Sequence, residues 1–260
     1  MLAVGINHYD DPEFSQLKWA ASDAIAFFNY FASTVSTNAF QGRLLLNKKA
    51  TKKTFQEACD WLNSAEADDT IIVFLATHGS REIEAGSTKA GSFIIFGDSD
   101  YGDIPNTGLS FSSLAELFRS NTRSQNIAII LDCCFSGSDA TPDVRGVLGP
   151  NLRLAEKINK SNPLTFIERT DGDIIDLGEG HVIISACAED EIAKELDSLK
   201  HGAFTYSLLE YMNGLSEPQV SIATVYSKVC DKVASLTMDQ QSPVLYGRLK
   251  AQRWPVKSNA

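Results

Sequence analysis

Two strand-length apolar runs constrain this chain more than any other feature: TIIVFLATHG at residues 70–79 and IAIILDCCFSG at residues 127–137. Neither alternates apolar with polar residues, so each reads as a strand covered on both faces, the kind found in a parallel sheet packed between helices. LAVGI (2–6), RLLL (43–46), SFIIFG (92–97), HVIISACAED (181–190) and PVLYGRL (243–249) read as further strands. Between them, Ala20, Ala24, Phe27, Phe28 and Phe31 share one helical face. Phe55, Ala58, Cys59 and Leu62 share another, which makes Cys59 a core residue, and a third carries Ile222, Val225, Tyr226, Val229, Val233 and Leu236. Ser110 is placed to cap a helix bearing Phe111, Leu114, Ala115, Leu117 and Phe118, and residues 202–214 read as one more helix. Strands alternating with helices predict an α/β fold.

At 260 residues and 43% hydrophobic, the chain is expected to form one globular domain over 1–260. Its formal charge of -10 argues against a phosphate-binding surface, so no nucleic-acid partner is expected and a basic peptide is the better match. The apolar start, MLAVGI, has no basic n-region and no cleavage site, and no run approaches the roughly 18 apolar residues of a membrane span. A cytoplasmic protein without membrane contact is expected. Five cysteines, an odd number with no C-x-x-C pair, argue against a disulfide framework and a structural zinc site. Residues 138–180 are rich in Gly, Pro, Asn and Asp, with one short helix near 151–158, and read as a long loop or linker; from about residue 250 the end reads as frayed.

Both long apolar runs end on chemistry. His78 follows VFLAT and precedes Gly79; Cys134 follows AIILDC and precedes Phe-Ser-Gly. In open parallel sheets, reactive groups collect beyond the carboxyl ends of the strands. On adjacent strands, imidazole and thiol would face one another, the base holding the sulfur as thiolate or protonating a leaving amine. Gly79 leaves its N–H unobstructed, and with the Cys134 amide it would form an oxyanion hole.

The pair ATHG and LDCCFSG resembles the caspase-like cysteine peptidases, most closely the metacaspases and their bacterial relatives, with motifs S-G-H-G and D-[SC]-C-H-S-G. Cys134 follows His78 by 56 residues, near the roughly 50-residue spacing of caspases. The animal-caspase signature Q-A-C-[RQG]-G is absent. VGINHYDDPEFSQLKWAASDA, SACAEDEIAKE, GAFTYSLLEYM and QQSPVLYG extend the likeness over most of the chain. The resemblance implies a three-layer sandwich with a mostly parallel central sheet. It also implies a cysteine endopeptidase with Cys134 as nucleophile and His78 as its partner. Asp132 and Asp23 match the acids lining the family's pocket, where two carboxylates would select Arg over Lys. Protein or peptide substrates follow, with an upstream activator protein and a role in bacterial defence or cell death.

Three positions depart from the family pattern: Ala20 stands for a pocket cysteine, Phe135 for the His after the nucleophile, and Thr77 for the Gly before His78. The acidic cluster of Asp98, Asp100 and Asp103 raises calcium as an activator, but it lacks the Gly and Glu of an EF-hand loop and reads as a solvated turn. No cofactor or metal is expected. Cys133 reads as a packing residue; Cys187, Cys230, His8, His181 and His201 read as structural; Asp190, Glu191 and Glu195 read as solvent or loop-capping charges. Arg145, Arg153, Lys157, Lys160 and Arg169 are self-cleavage sites if the 138–180 segment is a processing loop. A catalytically silent domain binding a partner through the same groove is the alternative. A serine hydrolase is disfavoured: no G-x-S-x-G elbow is present, and Ser136 has no His of its own.

Overall fold

A computed structural model of the chain describes residues 1–36, 38–83, 86, 90–119, 122–133, 135, 146–148, 181–188, 191–215, 219–247 and 253–255. The first half runs Leu2–Gly5 (β1), Ala20–Thr34 (α1), Arg43–Leu46 (β2), Lys52–Leu62 (α2), Thr70–Ala76 (β3), Gly79–Ile83 (β4) and Ala90–Ile94 (β5). A single turn at Ile104–Thr107 (α3) leads to Leu109–Ser110 (β6), Phe111–Arg119 (α4), Asn126–Asp132 (β7) and Gly146–Leu148 (β8). His181–Ser185 (β9), Glu195–Leu196 (β10), His201–Gly202 (β11) and Ala203–Asn213 (α5) follow. The chain then passes through Gln219–Ser221 (β12), Ile222–Thr237 (α6), Val244–Gly247 (β13) and Arg253–Pro255 (β14).

The main sheet has the order β13-β9-β7-β3-β1-β2, parallel throughout except for β13, which runs antiparallel to β9. Its centre is the pair of apolar runs. Ile71 to Ala76 and Ile127 to Asp132 are buried without a break, as two-sided coverage demands. Helix α1 lies across β1 and β3. Phe27 stacks on Phe74 with ring centroids 4.5 Å apart, and burying each such side chain contributes roughly 1.5–3 kcal/mol. Gly5 permits this approach: a Cβ there would stand 2.5 Å from the Ala20 carbonyl oxygen and 2.7 Å from the Ala24 methyl. Among the described residues, no helix is long and apolar enough to cross a membrane.

Local signals start the helices. Thr51 and Thr54 form a reciprocal capping box at α2, Ser110 Oγ accepts the Ser113 N–H at α4, and Ser221 Oγ accepts the Thr224 N–H at α6. Helix α1 has no side-chain cap from its own N-cap, Trp19. Instead the Ala21 N–H goes to Asn7 Oδ1 and the Trp19 N–H to Glu195, far along the chain.

Three elements differ from the expectation or extend it. The strand predicted at 70–79 ends at Ala76, and the chain turns at His78 into β4, which joins β5, β6 and β8 in a second sheet. The end read as frayed contains β14, which pairs antiparallel with β12. Of the 138–180 segment, only β8 is described; it runs parallel to β4, while the helix expected near 151–158 lies outside the described residues.

Candidate active site

Parallel register brings the two strands that lead into the motifs to the same carboxyl end of the sheet. β3 and β7 pair in parallel from Thr70 with Asn126 to Ala76 with Asp132. His78 lies two residues past Ala76, and in the sequence Cys134 lies two residues past Asp132; Cys134 itself is outside the described residues. Gly5 of β1 pairs with Ala76, so the loop after β1 starts at the same end of the sheet.

That loop holds the imidazole. His78 is fully buried, and its Nε2 lies 2.7 Å from the main-chain oxygen of Ser15 and 3.3 Å from Ser15 Oγ. A carbonyl oxygen only accepts, so Nε2 carries the proton, and in the neutral ring the lone pair sits on Nδ1. The ring centroids of Tyr9 and Phe14 lie 4.9 Å and 6.5 Å from that of His78. Asn7 staples the neck of the loop. Its carbonyl accepts the Leu17 N–H, its Nδ2 donates to the Lys18 carbonyl, and its Oδ1 accepts the Ala21 N–H. Inside the loop, Gln16 Oε1 accepts the Tyr9 N–H and bonds the exposed His8 ring.

The two predicted pocket acids are both buried, and both are held by the segment from His201 to Thr205. Asp23 Oδ1 lies 2.5 Å from His201 Nδ1, and the Asp23 carboxylate accepts the Gly202 N–H at 3.0 Å. Asp132 Oδ2 accepts the Thr205 hydroxyl at 2.5 Å. Both carboxylates therefore face the N-terminal end of α5, where the helix dipole favours negative charge. The Asp23 side chain is wholly buried, whereas His201 is 24% exposed, so His201 is the member of the pair that solvent reaches.

The stretch from Glu191 to Asp197 fastens this arrangement. Glu195 is buried and accepts the Lys18 and Trp19 N–H groups, both at 2.8 Å, at the approach to α1, while Asn7 Oδ1 takes the Ala21 N–H of its first turn. Asp197 accepts from Trp19 Nε1 and, next, from Lys18 Nζ, and these bonds hold its carboxyl below the usual range. Glu191 accepts from the Ser242 N–H and hydroxyl, closing the turn before β13. Asp190 lies outside the described residues.

Both sequence neighbours of Cys134 are buried. Cys133 receives the Cys187 thiol at its carbonyl, 3.8 Å away, and Phe135 packs edge-on against Phe111 at 5.6 Å. Phe135 and Ala20, two of the departures from the family pattern, are thus core residues. Gly79 is buried at the start of β4, opposite Ile94. Burial pushes the Cys59 thiol up to about 12 and raises that of Cys230, so neither is poised as a nucleophile.

The acidic cluster caps turns. Asp98 accepts the Lys52 N–H, Asp100 the Gly102 N–H and Asp103 the Asn106 side-chain amide. Among the described residues, no group of three or more His, Cys, Asp or Glu side chains is placed to hold a metal ion. Tyr9, Ser15 and Thr205 are not marked out by the sequence pattern, which gives His201 only a structural part. The HGAFT run before a helix was the available signal for His201 and Thr205; nothing in the local pattern marks Tyr9 or Ser15.

No protein-family model matches the chain, and no curated protein matches it by sequence. Solved structures do resemble it. One is the protein GSU0716 from Geobacter sulfurreducens, with a TM-score of 0.67 at 17% identity over 99% of this chain and 96% of that one. Another is caspase-1 from Spodoptera frugiperda, with a TM-score of 0.61 at 13% identity over 100% of this chain and 90% of that one. At such identities the likeness speaks for architecture alone. The chain has the caspase-like fold, an α/β sandwich built on a mostly parallel sheet flanked by helices.

Proposed function

We propose that the chain is a cysteine endopeptidase, related to the metacaspases, that cleaves proteins after Arg and less readily after Lys. Cys134 is the nucleophile and His78 its base. The observation that carries this reading is the bond from His78 Nε2 to the Ser15 carbonyl. It commits one ring proton to the protein and leaves the Nδ1 lone pair for a thiol, in a ring that follows the strand paired with the one leading to Cys134.

The imidazole takes the thiol proton, and the thiolate attacks the scissile carbonyl carbon. The Gly79 and Cys134 N–H groups donate to the oxyanion as it forms. Collapse of the tetrahedral intermediate breaks the C–N bond; the imidazolium returns its proton to the leaving amine, and a thioester remains on Cys134. Water, deprotonated by the same imidazole, then hydrolyses the thioester and restores the thiol. Asp23 and Asp132 form the pocket for the basic side chain. Because the His201–Thr205 segment already orients both, a guanidinium meets preorganised acceptors.

In this reading residues 1–260 form one catalytic domain acting in the cytoplasm under an upstream activator. Self-cleavage takes place at basic residues between 138 and 180. An arginyl acyloxymethyl ketone, which alkylates cysteine nucleophiles, tests the assignment. The expected result is a single adduct on Cys134 by peptide mass, lost in His78→Ala. A partner-binding domain of the same fold would leave the probe unreacted, and that outcome would overturn the proposal.

A further inference from the structure

We propose that Tyr9 and Thr77 are positioning residues for His78, their hydroxyls closing a buried ring of hydrogen bonds that fixes the His78 backbone and so aims its imidazole. This rests on the reading of His78 and Cys134 as the reacting pair.

The bonds can be ordered by following the protons. Thr77 Oγ1 lies 2.6 Å from the Ile95 carbonyl oxygen and donates to it. Only lone pairs then remain on Thr77 Oγ1, so Tyr9, 2.8 Å away, must be the donor between the two hydroxyls. The Ile6 carbonyl, at 3.4 Å, is the poorer acceptor for the same proton. With its proton spent on Thr77, the Tyr9 oxygen accepts the His78 N–H at 2.9 Å. The Ile95 N–H returns to the His78 carbonyl at 3.0 Å and closes the ring.

Every member is buried: Tyr9 is 6% exposed, and Thr77, His78 and Ile95 are fully enclosed. In such surroundings each bond strengthens its neighbours, and the loss of any hydroxyl leaves a partner unsatisfied. The ring fixes both polar groups of the His78 backbone. Tyr9 also lays its aromatic face 4.9 Å from the imidazole at an interplanar angle of 33°. With Ser15 on Nε2, the histidine is held at its main chain, at one face and at one ring nitrogen. Thr77 stands where the resembling family has Gly, which has no hydroxyl to take part. This chain therefore holds its histidine with a device dependent on the Thr side chain, and the device joins the turn after β3 to the loop after β1.

The test is the pH dependence of iodoacetamide alkylation at Cys134 in the native full-length protein, followed by the mass of the Cys134 peptide. This readout needs no substrate. Wild type is expected to react with a midpoint about one to two pH units below the ~8.5 of a free thiol. Thr77→Val, similar in volume, and Tyr9→Phe are each expected to raise that midpoint by about one unit and to slow alkylation at pH 7 roughly three- to eightfold. Thr77→Ser keeps the hydroxyl and is expected to retain the wild-type midpoint. A packing role alone would lower thermal stability without moving the midpoint of the folded protein, checked by near-ultraviolet circular dichroism at each pH. Wild-type midpoints in both Thr77→Val and Tyr9→Phe overturn the proposal while the Cys134–His78 reading stands. Should Tyr9→Phe not fold, Thr77→Val decides alone. A wild-type midpoint at the free-thiol value overturns both.

Discussion

Asp23 and His201 meet at 2.5 Å between the first turn of α1 and the short strand β11, 178 residues apart in the chain. The carboxylate is wholly buried and also takes the Gly202 N–H, so one acid serves the start of α1 and the approach to α5. On the proposed function it also serves a basic substrate. Asp23→Asn, which keeps the shape and removes the charge, is expected to lower kcat/KM for an arginyl peptide by roughly 100-fold, the loss typical of a buried charge pair deprived of one partner. Steady-state kinetics with arginyl and neutral peptides check this. An equal fall for both would place Asp23 in the scaffold and outside the pocket.

Thr205 is fully buried, and its hydroxyl is a donor to the equally buried Asp132. Thr205→Val keeps the volume and takes a donor from an enclosed carboxylate, at a cost of about 1–3 kcal/mol in stability. Urea unfolding measures it, and Thr205→Ser is expected to retain most of the wild-type value.

Much of the fold was legible because its signals are local. The runs at 70–76 and 126–132 are apolar on both faces, and their length and β-branching mark them as central strands. The phenylalanine face of α1 was equally plain. Strand β4 was not, because Gly-Ser-Arg-Glu-Ile carries none of that apolar continuity; its partners, β5 and β8, come from other parts of the chain. At the candidate site, His78, Asp23 and Asp132 stood out through motif and strand position. Their partners did not. Ser15 acts through a main-chain oxygen, which no residue type announces, and Tyr9 reads as one more aromatic in a polar loop until the fold brings it over the imidazole. Glu195 looked like a loop charge because the N–H groups it accepts, those of Lys18 and Trp19, lie 177 and 176 residues earlier.

Cys59 links the core to pH. Burial, and next the negative charge of Asp60, push its thiol from 9.0 up to about 12 in the folded chain. Below about pH 9 the thiol is protonated in both states, and its contribution to stability is fully present. Above pH 9 the unfolded thiol ionises while the folded one does not, so stability falls by up to about 1.4 kcal/mol per pH unit until the folded value is passed. Urea midpoints at pH 8 and pH 10 are expected to differ more in wild type than in Cys59→Ala.

Helix α6 ends on Met238 in the left-handed region, with φ of 54°, and its side chain is 84% exposed. A non-glycine residue there carries backbone strain that no packing offsets. Met238→Gly is expected to raise stability by about 0.5 kcal/mol, the relief of strain exceeding the added freedom of the unfolded chain. Thermal melts, with Met238→Ala as the control that keeps the strain, check the direction.

The most direct test of the central claim is cleavage of three peptides that differ only in bearing Arg, Lys or Asp before the scissile bond, by wild type and by Cys134→Ala. The expected result is cleavage after Arg, slower cleavage after Lys, none after Asp, and no cleavage of any peptide by Cys134→Ala with its melting curve unchanged. Cleavage that survives in Cys134→Ala, or a preference for Asp, would contradict the account.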